Sequence, residues 1–451
     1  MSSQETDARA QLHIAIVGAG ITGINLALGL QARNVSFTIY ERSPAIREIG
    51  AGIGFSPNAE RAMGLVNPEV LTAFRRVANP NGEDFFQWVD GYETNELIFK
   101  LYVGRNGFQG GLRSTFLEEW AKLIPAAACQ FSKHLDAITE EDGSPHRFRL
   151  HFKDGTTATA DAVIGCDGIR SRVRQLLLAD VSSSADHFQL PAAAHPSYTR
   201  GFCFRTLAPM ERAIATIGAT KALTRFMYNG HDAHLITYPV ANNTLLNILA
   251  VIEDANPVWP YQHSQGRHTA PGRKEEAVDA FAKWSDTARG IVSLFPEERM
   301  DKWGIFDMAE HPAPQYHRGG VCVAGDAAHA TGPHLGAGGG MGIEDALVLA
   351  ALLEGVHKRV GQNGGGGRKA ALVERALEVY NEVRYERTQD VVQSTRKACD
   401  LFHWKDPEVR RSPEKFGKDI TARFDKVWNY DLEGMVEGAL AKLDEGEKMR
   451  L

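Results

Sequence analysis

The apolar positions of this chain fall into two textures. In the first, short unbroken runs end in glycine or an acidic residue: HIAIVGAG (His13 to Gly20), SFTIYERS from Ser36, ADAVI ahead of Cys166, and GVCVAGD (Gly320 to Asp326). β-Branched runs of this length suit strands covered on both faces of a parallel sheet. Between the first two, Ile24, Leu26, Leu28 and Leu30 mark residues 21–33 as a helix, which makes a β-α-β unit. A hairpin turning at Asp154-Gly155 precedes the ADAVI strand.

The second texture occupies residues 181–308. RGFCFRTL, ALTRFMYNG, AHLITYPVA and TLLNILAVIED read as successive antiparallel strands. A Pro-Gly-His-rich loop follows from Pro257, and Ala277 to Ala288 reads as a helix. The first texture then returns. The predicted organisation is a nucleotide-binding α/β domain in two parts, 1–180 and 309–360, around a mostly β insertion over 181–308. Amphipathic helices fill 361–451, beyond a glycine-rich surface loop at Gly361 to Gly367. There are no internal repeats.

Composition narrows the function classes. A chain of 451 residues, 43% apolar and 24% charged, can bury the cores of two or three domains. A net charge of −6 offers no positive excess for nucleic acid, so no such partner is expected. The polar start MSSQETDARAQ has no signal-peptide core, and no apolar run approaches the ~18 residues of a membrane span. Five scattered cysteines (Cys129, Cys166, Cys203, Cys322, Cys399) never form CxxC, which argues against a disulfide framework or a metal site. The expectation is a cytoplasmic protein, monomer or homodimer, without stable membrane association.

Three segments carry chemistry. Gly18-x-Gly20-x-x-Gly23 lies between strand and helix, where glycines let the backbone approach a pyrophosphate at a helix N-terminus. Glu41 closes the next strand, placed to accept hydrogen bonds from ribose hydroxyls; alone, this unit would hold NAD or FAD. Asp167-Gly168 follows the third strand, with Arg174 six residues beyond. In GDAAHATGPHLGAGGG, Asp326 follows a strand and can accept from a ribityl chain or ribose. Gly336, Gly338, Gly339 and Gly340 let amides approach a planar group ahead of a helix starting near Met341. His329 reads as structural.

These motifs, in this order around a β insertion, resemble the class A flavoprotein aromatic hydroxylases, and in particular their salicylate hydroxylase-like branch. REIGAGIGFSPNAERAMGLV (Arg47 to Val66), GLRSTFLEEW (Gly111 to Trp120) and WNYDLE (Trp428 to Glu433) extend the likeness over nearly the whole chain. The resemblance implies a Rossmann-like FAD-binding domain with an inserted antiparallel β-sheet substrate domain and C-terminal helices. It implies FAD contacts at Glu41, Gly54, Arg113, Asp326 and Gly339, beside Gly18, Gly20, Gly23, Asp167 and Gly338. Ala337 departs from the Gly-Gln-Gly of many relatives, keeping the backbone cradle while removing a side-chain amide.

The resemblance further implies reduction of FAD by NADPH or NADH, then O2, then attack of a phenolate ring on a C4a-hydroperoxide. Such a site needs a group that favours the ionised phenol and a pocket that excludes water. Alternation places Arg205 with Cys203, opposite Phe202 and Phe204, and Tyr238 with Ile236. Fungal members that dearomatise resorcinol-type polyketide aldehydes carry Arg and Tyr in matching FR and TYPV contexts, which implies that Arg205 and Tyr238 hold a phenolate here. The function so implied is hydroxylation ortho to a phenolate oxygen with dearomatisation. Salicylate 1-monooxygenase is the enzymatic alternative, and a non-catalytic dinucleotide-binding redox sensor the alternative of another class. A WxWxIP halogenase segment is absent.

Overall fold

The computed structural model describes residues 12–46, 52–104, 106–141, 146–179, 190–260, 268–298, 300–363, 366–410 and 412–448. The first five residues of the Arg47 to Val66 motif, part of the Pro257 loop and the 180/181 boundary lie outside them.

The first texture forms a six-stranded sheet in the order His317–Arg318, Val321–Val323, Ala162–Gly165, His13–Val17, Ser36–Tyr40, Cys129–Gln130. All neighbours are parallel except the first pair. Ile14, Ala15 and Ile16 are sealed on both faces, which is why the run shows no alternation. The helix Ile21–Ala32 is buried nearly all round, because the long helix Gly338–Asn363 lies across its outer side. The Asp154-Gly155 hairpin joins Phe148–Phe152 to Thr157–Ala160 in a separate three-stranded meander.

The second texture forms an eight-stranded sheet, ordered Thr269–Gly272, Met300–Asp307, Ser197–Pro209, Leu245–Glu253, Ala233–Val240, Phe226–Asn229, Phe85–Asp90, Leu97–Tyr102. Its last two strands come from the segment read above as the first part of the nucleotide domain. They join through a parallel pairing of Phe226–Asn229 with Phe85–Asp90, a long-range contact that no local pattern announces. A small ladder, Gly52–Phe55 with Gln109–Leu112, lies in the same excursion.

Two other expectations shift. The helix read over Ala277 to Ala288 is two helices, Lys274–Ala280 and Asp286–Ser293, the second restarted by the Ser285 side chain accepting from the Ala288 amide. The glycine-rich segment is largely taken up by helices: Gly338–Asn363 runs through Gly361, and Gly366–Phe402 begins two residues after Gly364. No helix among the described residues is long and apolar enough to cross a membrane.

Candidate active site

The parallel strands deliver their chemistry at their carboxyl ends, where ligands of open α/β sheets sit. Gly18 follows His13–Val17 and Glu41 follows Ser36–Tyr40 directly, Asp167 follows Ala162–Gly165 by two residues, and Asp326 follows Val321–Val323 by three. Gly18 has φ +105°, and a Cβ there would stand 2.5 Å from the Cys166 carbonyl oxygen, so no other residue fits the turn. Glu41 braces that turn from the neighbouring strand: its carboxylate accepts from the Ala19 amide at 2.8 Å and the Ser43 amide at 2.7 Å.

Gly18, Gly20, Glu41, Asp167 and Arg113 border a polar cavity of about 260 Å³. A Cβ on Gly20 would meet only the Arg113 guanidinium, at 3.8 Å, so the backbone there faces open space. That bare turn at the start of Ile21–Ala32, with a carboxylate on one side and an arginine on the other, fits the adenosine and pyrophosphate of a dinucleotide. Gly23 faces the other way: a Cβ would strike the Gly18 carbonyl oxygen at 2.0 Å, giving it a close-packing role. Asp167 is engaged internally. Its carboxylate accepts from the Ser171 hydroxyl at 2.5 Å and the Arg172 and Val173 amides at 2.6 and 3.1 Å, which caps Arg172–Leu178 and sets Gly168 on the cavity rim.

Arg113 also borders a second, larger cavity of about 400 Å³, between the glycine segment and the eight-stranded sheet. Asp326, Gly338 and Gly339 line it from the glycine segment, Arg205, Arg225, Tyr238 and Trp303 from the sheet, and Gly52 and Gly54 from the small ladder, where a Cβ on Gly52 would stand 2.8 Å from the Tyr238 hydroxyl oxygen. Asp326 is open to the cavity yet surrounded by protein; burial raises its carboxyl above the ordinary value, opposed by His329 and Arg113. The glycines after it are helical, since Gly338–Asn363 begins three residues before the expected start. Close packing accounts for glycine at two of these positions: a Cβ on Gly339 would lie 3.1 Å from the Phe55 ring and one on Gly340 3.0 Å from Ala59. The first-turn amides of a 26-residue helix therefore lie at the cavity wall. Gly336, at φ +60° against the Phe108 ring, makes the preceding bend.

Two features lock this wall. Arg174, with no exposed surface, donates to the Ala327 and Ala328 carbonyls at 3.1 and 2.7 Å and to the Ala193 carbonyl at 2.6 Å, tying the Asp167 segment to the Asp326 segment. His329 bonds Asp345 at 2.6 Å, confirming its structural reading; Asp345 also accepts from the Gly325 amide at 2.8 Å and from Arg384.

On the opposite wall the alternation reads out as expected. Cys203 and Arg205 face the cavity while Phe204 is sealed in the core behind; Ile236 and Tyr238 face it from two strands away. The Arg205 guanidinium stacks on Trp303, 4.1 Å from the ring centroid. Burial pushes the Tyr238 phenol up to about 12 against the pull of Arg225 and Arg205, so it stays protonated. Phe226 and Tyr228 are core residues. His334 also lines the cavity, and burial drives it down to about 3, leaving it neutral; His234 lies behind it, and His231 bonds Arg410.

Sequence reading missed Arg225. The RFMYN segment alternates like its neighbours, so placing Phe226 and Tyr228 in the core already puts Arg225 and Met227 on the cavity face.

Comparison with known proteins agrees with this geometry. Residues 112–395 match the family described as FAD binding domain, and residues 15–170 one described as FAD-NAD(P)-binding. "FAD-dependent monooxygenase orf3" of Aspergillus niger is 47% identical, covering 94% of this chain and 95% of its own. "FAD-dependent monooxygenase pigN" of Monascus ruber is 45% identical over 96% of each. A solved structure titled "Salicylate hydroxylase substrate complex" superposes with a TM-score of 0.78 at 29% identity, over 95% of this chain and 98% of that one. The chain belongs to the FAD-binding monooxygenase family and is an FAD-dependent aromatic hydroxylase of the salicylate hydroxylase-like type.

Proposed function

We propose that the enzyme hydroxylates a resorcinol-type phenolic aldehyde at the ring carbon ortho to an ionised oxygen, consuming NAD(P)H and O2. Where that carbon bears a methyl group, no ring proton can leave and the product remains a dearomatised dienone. The observation that supports this is the convergence of Arg205 and Tyr238 on one cavity, facing the Asp326 to Gly339 wall.

Bound FAD supplies the oxygen transfer. The chain's own residues do the rest. Glu41, the Gly18 to Gly23 turn and Arg113 hold the adenosine and pyrophosphate; Asp326, Gly54, Gly338 and Gly339 hold the half that bears the ring. Arg205, charged at any working pH, stabilises the phenolate. Tyr238, kept protonated, donates a hydrogen bond to that oxygen and does not act as its base. Phe86, Phe108, Met227, Ile236 and Leu249 make the surroundings apolar and exclude water from the reacting carbon. Several relatives come from fungi, and we place the substrate among fungal polyketide aldehydes by the resemblance of the Arg205 and Tyr238 contexts.

Decarboxylative hydroxylation of salicylate is the second reading, favoured by the likeness to the salicylate hydroxylase structure. Product identification decides between them, using purified enzyme, NADPH, O2 and either an alkylated 2,4-dihydroxy-3-methylbenzaldehyde or salicylate. One added oxygen with loss of ring aromaticity supports the first reading. Catechol and CO2 from salicylate supports the second. NADPH oxidised only to hydrogen peroxide would overturn both substrate assignments.

A further inference from the structure

Arg225 is a buried cation without a carboxylate. It is 3% exposed, it immediately precedes the strand Phe226–Asn229, and among the described residues no Asp or Glu lies within ion-pair distance of it. Its surroundings are aromatic: the guanidinium carbon stands 4.1 Å from the Phe108 ring centroid, 4.9 Å from Tyr238 and 5.1 Å from Phe86. Its one protein acceptor among the described residues is the Phe108 carbonyl, 3.2 Å from Nη1. A guanidinium carries five N–H donors, and among the described residues only one of them has a protein acceptor here.

Burying an uncompensated charge is costly, so such groups are normally paired. Burial lowers Arg225 to about 10, eased only by Tyr238, and the group stays charged at neutral pH. It lines the cavity that holds Arg205 and Tyr238, and both arginines act on the Tyr238 phenol. Arg205 and Arg225 thus line one cavity in which Asp326 is the single carboxylate among the described lining residues. A phenolate held by Arg205 leaves the Arg225 guanidinium without an anion.

We propose that Arg225 forms a second oxyanion subsite, distinct from the Arg205–Tyr238 position, which selects aromatic substrates carrying a second acidic oxygen on the ring. The inference rests on the phenolate reading of Arg205 and Tyr238. The ligand edge that would enter is a second ionised hydroxyl or a carboxylate, met by the guanidinium edge between Phe108 and Tyr238. Carbonyl-only substrates leave the charge unpaired and bind less well.

The test reads ligand affinity by perturbation of the flavin absorbance in the FAD-loaded enzyme, without turnover. The probes are 2,4-dihydroxybenzaldehyde, salicylate and the single-hydroxyl 4-hydroxybenzaldehyde, on wild type, Arg225→Gln and Arg225→Lys. Arg225→Gln should weaken at least one of the two-oxyanion probes by about 30-fold or more, and 4-hydroxybenzaldehyde by less than about threefold. A loss confined to salicylate assigns the subsite to a carboxylate, and one confined to the dihydroxy compound assigns it to a phenolate. Arg225→Lys, which keeps the charge, should recover part of the preference, and it carries the test if the glutamine variant fails to retain FAD. Equal weakening of all three probes, no weakening, or no binding of either two-oxyanion probe to wild type would overturn the subsite. Because no product is formed in this assay, an unexpected product in turnover would sink the proposed reaction and leave the affinity result standing.

Discussion

At the scale of single residues, the cavity divides its work between groups that change charge with pH and groups that do not. Arg205 is a fixed cation. Arg205→Ala should cut product formation by orders of magnitude with FAD still bound; a flavin-free variant would show that the arginine holds the fold. If Tyr238 donates to the phenolate as proposed, Tyr238→Phe should lose about 1–3 kcal/mol of transition-state stabilisation, read in kcat/KM. The pH profile follows from the same groups. Tyr238 is raised to about 12 and His334 lowered to about 3, so neither changes charge between them. The groups left to shape the acid limb of kcat/KM are the Asp326 carboxyl, which burial raises, and the phenol of the substrate; the phenolate reading expects the limb to move with the phenol's pKa when two phenols of different acidity are compared. A limb fixed at one pH for both phenols would assign the titration to the protein.

Among elements, the helix Gly338–Asn363 carries both the glycine-rich first turn and the acidic pair behind it. Glu344 and Asp345 are fully buried. Arg384, from the next helix, reaches Glu344 at 2.6 Å and Asp345 at 2.8 Å, and Arg387 and Asn58 complete the set at 2.7 Å each. Asp345 holds the Gly325 amide, and through it the Asp326 turn, against the helix. Arg384→Met removes the one cation the two buried carboxylates share, an expected loss of about 3–5 kcal/mol, measured by chemical denaturation. Both carboxyls are lowered on folding, against the burial that would raise them, by Arg384 together with Arg387 and His329. Their contribution is thus complete above the unfolded carboxylate range, roughly pH 4, and falls away as pH drops below it. Acid denaturation that begins at the same pH in Arg384→Met as in wild type would contradict this.

In the molecule as a whole, Arg113 borders both cavities, one made by strand ends of the parallel sheet and the other closed by the antiparallel sheet. A dinucleotide spanning them would contact both halves of the fold, and its binding should stabilise both. Excess FAD should raise the melting temperature of stripped protein, with about 2.7 kcal/mol of added stability at a hundredfold excess over Kd. Asp326→Ala should remove most of that shift by weakening FAD binding. A variant that keeps its flavin through gel filtration would refute the role given to Asp326.

The sequence by itself determined what depends on neighbours along the chain. The strand-turn-helix at Gly18, the hairpin at Asp154-Gly155 and the inward faces of Arg205 and Tyr238 were legible because period-2 and glycine-turn signals are local. Tertiary structure decided what depends on distant partners. The strands at Phe85–Tyr102 join the antiparallel sheet through a parallel pairing with residues some 140 positions away, which no periodicity encodes. The Gly338 to Gly340 segment is helical although glycine disfavours helix, and Gly339 and Gly340 pack tightly on Phe55 and Ala59, residues far away in the chain. Asp167 turned inward to cap a helix, and the face of Arg225 follows from alternation while its enclosure by Phe108 and Tyr238 comes only from packing. Burial creates these roles, and burial is a property of the packed chain rather than of any single segment.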